Sequence, residues 1–186
     1  MTDDIDRGII EQIRAGDRNA FAGIIDRYVD RIYNLAVRLA GSNADADELT
    51  QTIFIKTFQS LDHFDISRPL FPWLYTIALN TLRNHCRRKK LRVLFVRDPT
   101  LDRSKDDSST TNPEDRLILS EQTDQLAAGL EKLTYRQREA VVLRYYEQLS
   151  YPEIAALQRT SLSAAKMRVR RGLARLQKLL EGINRD

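Results

Sequence analysis

The chain has 186 residues, 42% of them hydrophobic and 30% charged, with a formal charge of only +4; this balance fits a globular, wet-surfaced protein rather than a disordered one. Its one cysteine excludes an intramolecular disulfide framework and a cysteine-rich metal site. No apolar run approaches the ~18 residues of a membrane span, and the opening MTDDIDRG is acidic where a signal peptide is basic, so a soluble, cytoplasmic protein without membrane insertion is expected.

Residues 5–15 give a short amphipathic helix stopped by Gly16. Asp17 is placed to cap a longer helix reaching about Ala40, because Phe21, Ile24, Ile25, Tyr28, Ile32, Leu35 and Leu39 recur at three and four. Gly41 ends it, and Ser42 or Asn43 caps the next, which runs through about Leu61. On that third helix Leu49 and Ile53 form one side, while Glu48, Gln51, Thr52, Ile55 and Gln59 share another. An isoleucine amid polar residues suits a partner surface, whose centre is apolar and rim polar. Taken alone, it better suits a single exposed isoleucine, which is common. Asp45, Asp47 and Glu48 point in diverging directions and sit in the opening turns, where the helix dipole accounts for acids; no metal site is expected.

Next comes FDISRPLFPWLYTIALNTLRNHCRRKK, from Phe64 to Lys90. A loop with Pro69 and Pro72 leads into a helical pattern ending in the basic block Arg87 to Lys90. At ~100° per residue, Tyr75, Ala78, Leu79, Leu82 and Cys86 fall on one face, and Trp73, Thr76, Asn80, Arg83, Asn84 and Arg87 on the other. Cations meet phosphate, rings stack on bases and an amide can read a base edge, so the second face suits unpaired nucleic acid. An amphipathic helix with Trp73 in its core and a basic end complementing its dipole has the same pattern.

From about Arg97 to Asn112 apolar periodicity stops and Asp, Ser and Thr dominate, which reads as a flexible linker between two small units. Asn112-Pro113-Glu114 is a helix start, with a helix to about Leu130 and another from Thr134. Ser150-Tyr151-Pro152-Glu153 combines a capping box with proline in the first turn and opens the short helix PEIAAL. The last helix spans about Ser161 to Leu180, with Leu162, Ala165, Val169, Leu173, Leu176 and Leu180 in one stripe. Met167, Arg168, Arg171, Arg175 and Lys178 face away from it, flanked by Lys166 and Arg170. A short helix, a tight turn and a helix with a cationic face, in a 159–178 window without a single acid, read as a helix-turn-helix whose second helix enters the major groove.

Together these segments resemble the extracytoplasmic-function (ECF) sigma factors of bacterial RNA polymerase, from about residue 5 to 181. The motifs carrying the resemblance are FAGIIDRYVDRIYNLAVRLAG, DADELTQTIFIKTFQSLDHF, PWLYTIALNTLRNHCRRK, NPED and LSYPEIAALQRTSLSAAKMRVRRGLARL, in family order and spacing. The resemblance implies an all-α protein of two small helical domains: residues 5–95 as sigma domain 2, 96–112 as the flexible linker, and 113–182 as sigma domain 4 with the helix-turn-helix. It implies core polymerase binding at Asp47, Glu48, Gln51, Thr52 and Ile55. For −10 recognition and melting it points to Phe64, Asp65 and Ser67 in the loop and Trp73, Asn80, Arg83, Asn84 and Arg87 on the helix. For −35 recognition it points to Ser163, Lys166, Met167, Arg168, Arg170 and Arg171. The implied partners are core RNA polymerase, promoter DNA and an anti-sigma factor; no cofactor, metal or enzymatic activity is implied.

Three positions depart from the family pattern: Thr52 replaces a glutamate, FDISRPLF lacks a glycine, and Arg159 stands where the helix-turn-helix has one. A left-handed arginine costs roughly 1 kcal/mol relative to glycine, which leaves a different turn type open. A stand-alone helix-turn-helix regulator would explain residues 134–180 but leave the Glu48–Ile55 stripe and the Trp73–Asn80 face without a task. A regulator acting only through protein contacts would not depend on Lys166 or Arg171.

Overall fold

A computed structural model describes residues 2–95 and 125–183, all of whose regular elements are helical. The chain divides into two compact units, Met1–Arg88 and Lys89–Asp186. The expected linker, the Asn112-Pro113-Glu114 start and the helix up to residue 124 lie outside the described residues.

In the first unit, α1 (Thr2–Arg14) and α2 (Phe21–Ala40) are joined through Gly16, whose φ of 108° is open to glycine at little cost. Asp17 accepts from Asn19 N at 3.0 Å. It therefore caps a one-turn 3-10 segment, Arg18–Ala20, and not α2 itself, which begins without a side-chain cap. The α2 stripe is buried at Phe21, Ile24, Tyr28, Ile32, Leu35 and Leu39. Gly41, at φ 75°, closes the helix by donating its N–H to Val37 O. Ser42 Oγ then accepts from Asp45 N and starts α3 (Asn43–Ser60), which packs along α2.

A 3-10 turn, Leu61–His63, and the loop after it lead into α4 (Leu70–Phe95). Leu70, Leu74, Tyr75, Ala78, Leu79 and Leu82 are buried. Cys86 Sγ reaches Leu39 O, Lys56 Nζ donates to Thr81 Oγ1 and His85 Nε2 lies 3.5 Å from Asp45 Oδ2, so α4 closes on both α2 and α3. Asp6 is 1% exposed. A buried carboxylate needs partners, and Asp6 receives Arg27 Nε at 2.8 Å and the Tyr28 hydroxyl. Burial, then the bond to Asp6, pushes the Tyr28 phenol above its ordinary range, so it remains a donor.

Past residue 124, the second unit consists of α5 (residues 125–131), α6 (Tyr135–Tyr145), α7 (Tyr151–Leu157) and α8 (Leu162–Ile183). Leu130, Leu133, Val141 and Leu176 form one cluster of its core, with Leu126, Leu173 and Leu180 packed against them. Gly172 lets α6 and α8 approach: a Cβ there would meet Val141 Cγ2 at 2.7 Å and Gln137 O at 3.3 Å. Leu162, placed in the apolar stripe from its spacing, is 43% exposed, and burial begins at Ala165. Periodicity fixes the direction of a side chain, not how far the facing elements extend.

Candidate nucleic-acid and partner interfaces

The α3 stripe is on the surface. Asp47, Glu48 and Gln51 are exposed, Thr52 is half-buried, and Ile55 is 57% exposed despite being apolar. Ile55 borders an open apolar groove of about 700 Å³ between α2 and α3, lined also by Phe21, Ile25, Val29, Phe54 and Phe58. Gln51, Gln59 and Arg18 border it as well, and the Arg18 guanidinium sits 5.7 Å from the centre of the Phe58 ring. An apolar centre with a polar border is the composition of a protein interface. The α2 wall was not foreseen as surface. Its signal was the excess width of the α2 stripe, where Ile25 and Val29 extend the apolar face beyond what one core contact uses.

In the loop before α4, Phe64 is 4% exposed and its ring centre lies 4.8 Å from that of Trp73. Phe64, which the resemblance places among the −10 residues, forms the floor beneath a half-buried Trp73. An apolar loop residue flanked by helices gains more from burial than from solvent, and loop sequence carries no periodicity to announce it. Asp65 and Ser67 are exposed and bonded to each other. Ser67 N and Oγ donate to Asp65 Oδ1 at 3.1 and 2.7 Å, and Arg68 Nε sits 3.1 Å from Asp65 Oδ2. The Ser67 hydroxyl, then its N–H, holds the Asp65 carboxyl below its usual range. On α4, Asn80, Asn84 and Arg87 are exposed and Arg83 is half-buried, donating from Nη1 to Asn80 Oδ1 at 3.2 Å. Trp73, Asn80, Arg83, Asn84 and Arg87 thus belong to one helix, with the Asp65–Ser67 turn shortly before its start.

In the second unit the Ser150–Glu153 capping box is formed, with the Ser150 N–H donating to Glu153 Oε2 at 2.7 Å. The helix-turn-helix turn retains the left-handed residue: Arg159 has φ 49°. The alternative turn left open by the missing glycine is not adopted. Arg159 N donates to Ala156 O and Thr160 N to Ala155 O at 2.9 Å, and Gln158, 1% exposed, anchors the turn from within. Gln158 Nε2 donates to Arg136 O at 3.2 Å, and its Oε1 accepts from Arg168 Nη1 at 2.8 Å. On α8, Ser163, Lys166, Met167, Arg170 and Arg171 are exposed. Arg168 is the exception. It is half-buried and turned back onto Gln158, which corrects its expected place among the outward-facing bases.

Comparison with known proteins identifies the family. Residues 24–92 match Sigma-70 region 2 and residues 123–176 match Sigma-70 region 4. The chain is 32% identical to the ECF RNA polymerase sigma factor SigW of Bacillus subtilis over 94% of this chain and 96% of that protein. It is 30% identical to the ECF RNA polymerase sigma-E factor of Escherichia coli over 88% of each. Among solved structures, CnrH in complex with the cytosolic domain of CnrY is similar at 28% identity and a TM-score of 0.66, covering 96% of this chain and 98% of that one. The chain belongs to the ECF RNA polymerase sigma factors. It directs core RNA polymerase to promoter DNA and initiates strand opening, and it is not an enzyme. Family membership across both units displaces the stand-alone helix-turn-helix regulator.

Proposed function

We propose that the two units divide promoter recognition between them, with residues 5–95 binding core polymerase and the melted −10 element and residues 113–182 binding the duplex −35 element, across a linker at 96–112. Core polymerase docks on Asp47, Glu48, Gln51, Thr52 and Ile55, with the adjacent groove receiving an apolar side chain of the polymerase. The observation that carries this reading is Ile55, 57% exposed beside an open apolar groove on the same unit as the polar face of α4. Downstream, Asp65 and Ser67 present the loop, Asn80 and Asn84 contact bases, Trp73 offers ring edge over Phe64, and Arg83 and Arg87 hold phosphate. Upstream, Ser163, Lys166, Met167, Arg170 and Arg171 face the major groove, Arg170 and Arg171 being able to donate to guanine O6 and N7. Arg168 acts through the turn.

The chain works in the cytoplasm and is held inactive by an anti-sigma partner that covers the α2–α3 groove, in competition with polymerase. Support for such a partner is the groove itself and the likeness to CnrH, which is seen in complex with the cytosolic domain of CnrY. The test is transcription from a genomic promoter library with purified core enzyme. Start-site-specific transcripts sharing two elements are expected, and Gln51→Ala with Ile55→Ala should weaken core association while −35 binding by α8 persists. Loss of both together, or no transcript at all, contradicts the reading.

A further inference from the structure

The first helix lies outside the stretch matched to Sigma-70 region 2, which begins at residue 24, yet it is bonded to the segment that precedes α4. Arg14, in the last turn of α1, extends one terminal nitrogen, Nη2, to two carbonyls: Leu61 O at 3.2 Å and Phe64 O. Those carbonyls open the 3-10 turn Leu61–His63 and close it, at the residue where the −10 loop departs. Further back on α1, buried Asp6 holds Arg27 and the Tyr28 hydroxyl. The Tyr28 ring stacks on Phe71 at 5.6 Å with 25° between planes, in the first turn of α4, and the Arg31 guanidinium lies 4.0 Å from the centre of the Phe71 ring. The loop from Asp65 to Pro69 is therefore bracketed, at its entry by Arg14 and at its exit through the Asp6–Tyr28–Phe71 chain. Inside the bracket, Ser67 and Arg68 close a turn on Asp65.

We propose that Arg14 is a positioning residue for base recognition: by fixing the Leu61 and Phe64 carbonyls it holds the glycine-free loop in its binding shape before DNA arrives. Extruding a base costs a few kcal/mol, and a loop that must also be ordered on binding adds to that cost. A guanidinium suits the task, because its planar fork is preorganised and its charge strengthens bonds to carbonyls. A mere dipole partner at the end of α1 would need neither carbonyl. The inference rests on the assignment of this loop to the −10 element.

The experiment uses holoenzyme assembled from the full chain and core polymerase. It is offered a pool of single-stranded DNA oligonucleotides randomised over a short central window, and the captured fraction is sequenced. Wild type, Arg14→Ala, Arg14→Lys, Ser67→Ala and Asn80→Ala are compared, with core affinity and thermal melting measured on each. Losing the two hydrogen bonds from the guanidinium should cut base selectivity at one position by about tenfold in Arg14→Ala. Core affinity should stay at the wild-type level, and Arg14→Lys should recover part of the selectivity. Wild-type selectivity in Arg14→Ala, alongside lost selectivity in Ser67→Ala or Asn80→Ala, overturns the proposal. So does a loss spread evenly over all sequences, which would mark a charge effect, or a parallel loss of core affinity and melting temperature, which would mark a structural role. If Ser67→Ala and Asn80→Ala also keep full selectivity, the −10 assignment fails and the proposal with it.

Discussion

Gln158 is the buried joint of the helix-turn-helix, and replacing it by alanine should show how much of the reading head it holds. The side chain donates to Arg136 O on α6 and accepts from Arg168 on α8, so one amide ties the recognition helix to the scaffold. A neutral hydrogen bond contributes about 1 kcal/mol net, and one from a guanidinium about 1.5–3 kcal/mol in a dry site. Arg168 is half-exposed, so water takes over part of its bond and about 1 kcal/mol remains. Adding about 1 kcal/mol for the void left in a site that is 1% exposed gives a loss of about 3 kcal/mol.

For a domain of this size that corresponds to a fall of roughly 12 °C or more in the melting transition of the second unit, read by circular dichroism on the full chain. Arg168→Ala should destabilise the unit by about 1 kcal/mol, and the double variant should show a coupling of about the same size. Arg171→Ala, by contrast, should leave stability within about 0.5 kcal/mol. A Gln158→Ala variant that melts with the wild type, or no coupling to Arg168, would refute the joint and return Arg168 to the DNA-reading set.

Other outcomes can be checked with the same material. Gly172→Ala forces a methyl group to 2.7 Å from Val141; overpacking of about 1–3 kcal/mol, partly offset by about 1 kcal/mol of helix propensity, should lower the melting temperature of the second unit. The Glu153 carboxyl is held below its ordinary value of 4.5 by the Ser150 hydroxyl and then its N–H. A depressed carboxylate stabilises above its unfolded pKa and loses that contribution as pH falls through the folded one, so stability should drop below pH 4.5, and Glu153→Gln should flatten that part of the melting profile. For −35 binding by holoenzyme, Lys166→Ala should reduce the slope of log K against log salt by about 1, read from salt titrations, whereas Arg168→Ala should not. Arg171→Ala should cost about 1–3 kcal/mol and relax specificity at one position. Unchanged specificity in Arg171→Ala would remove it from the base-reading set.

Most of the architecture was legible because helical periodicity is a local signal. The α2 and α4 stripes, the Ser150 capping box and the Gly41 stop each lie within a few residues of what they determine. The misreadings have a common cause: each depended on a residue far away in sequence or on a segment with no period. Asp17 caps the one-turn 3-10 segment instead of α2, because the intervening turn, which has no period, takes up its side chain. Arg168 turned back because Gln158 presented a buried oxygen ten residues earlier. The cost of a left-handed Arg159, roughly 1 kcal/mol, was correctly weighed but weighed alone. In that conformation the Thr160 N–H reaches Ala155 O, beside a turn that the Gln158 amide holds from within.

The fate of the arginines shows why composition alone understates and misplaces the surface that meets DNA. Arg14 is spent on two carbonyls, Arg27 on a buried carboxylate, Arg31 on an aromatic face and Arg168 on a buried amide. Each of these holds a helix or a turn in place. Arg87, Arg170 and Arg171 project from helices whose opposite faces are buried, and they remain exposed. A sequence count assigns all seven to the same pool of positive charge. The folded chain separates them, because a guanidinium that holds a helix or turn in place has fewer of its five donors, and less freedom of position, left for phosphate. On the proposed reading, the cations offered to the promoter are mainly those the fold does not need, and the accuracy with which they are presented depends on those it does.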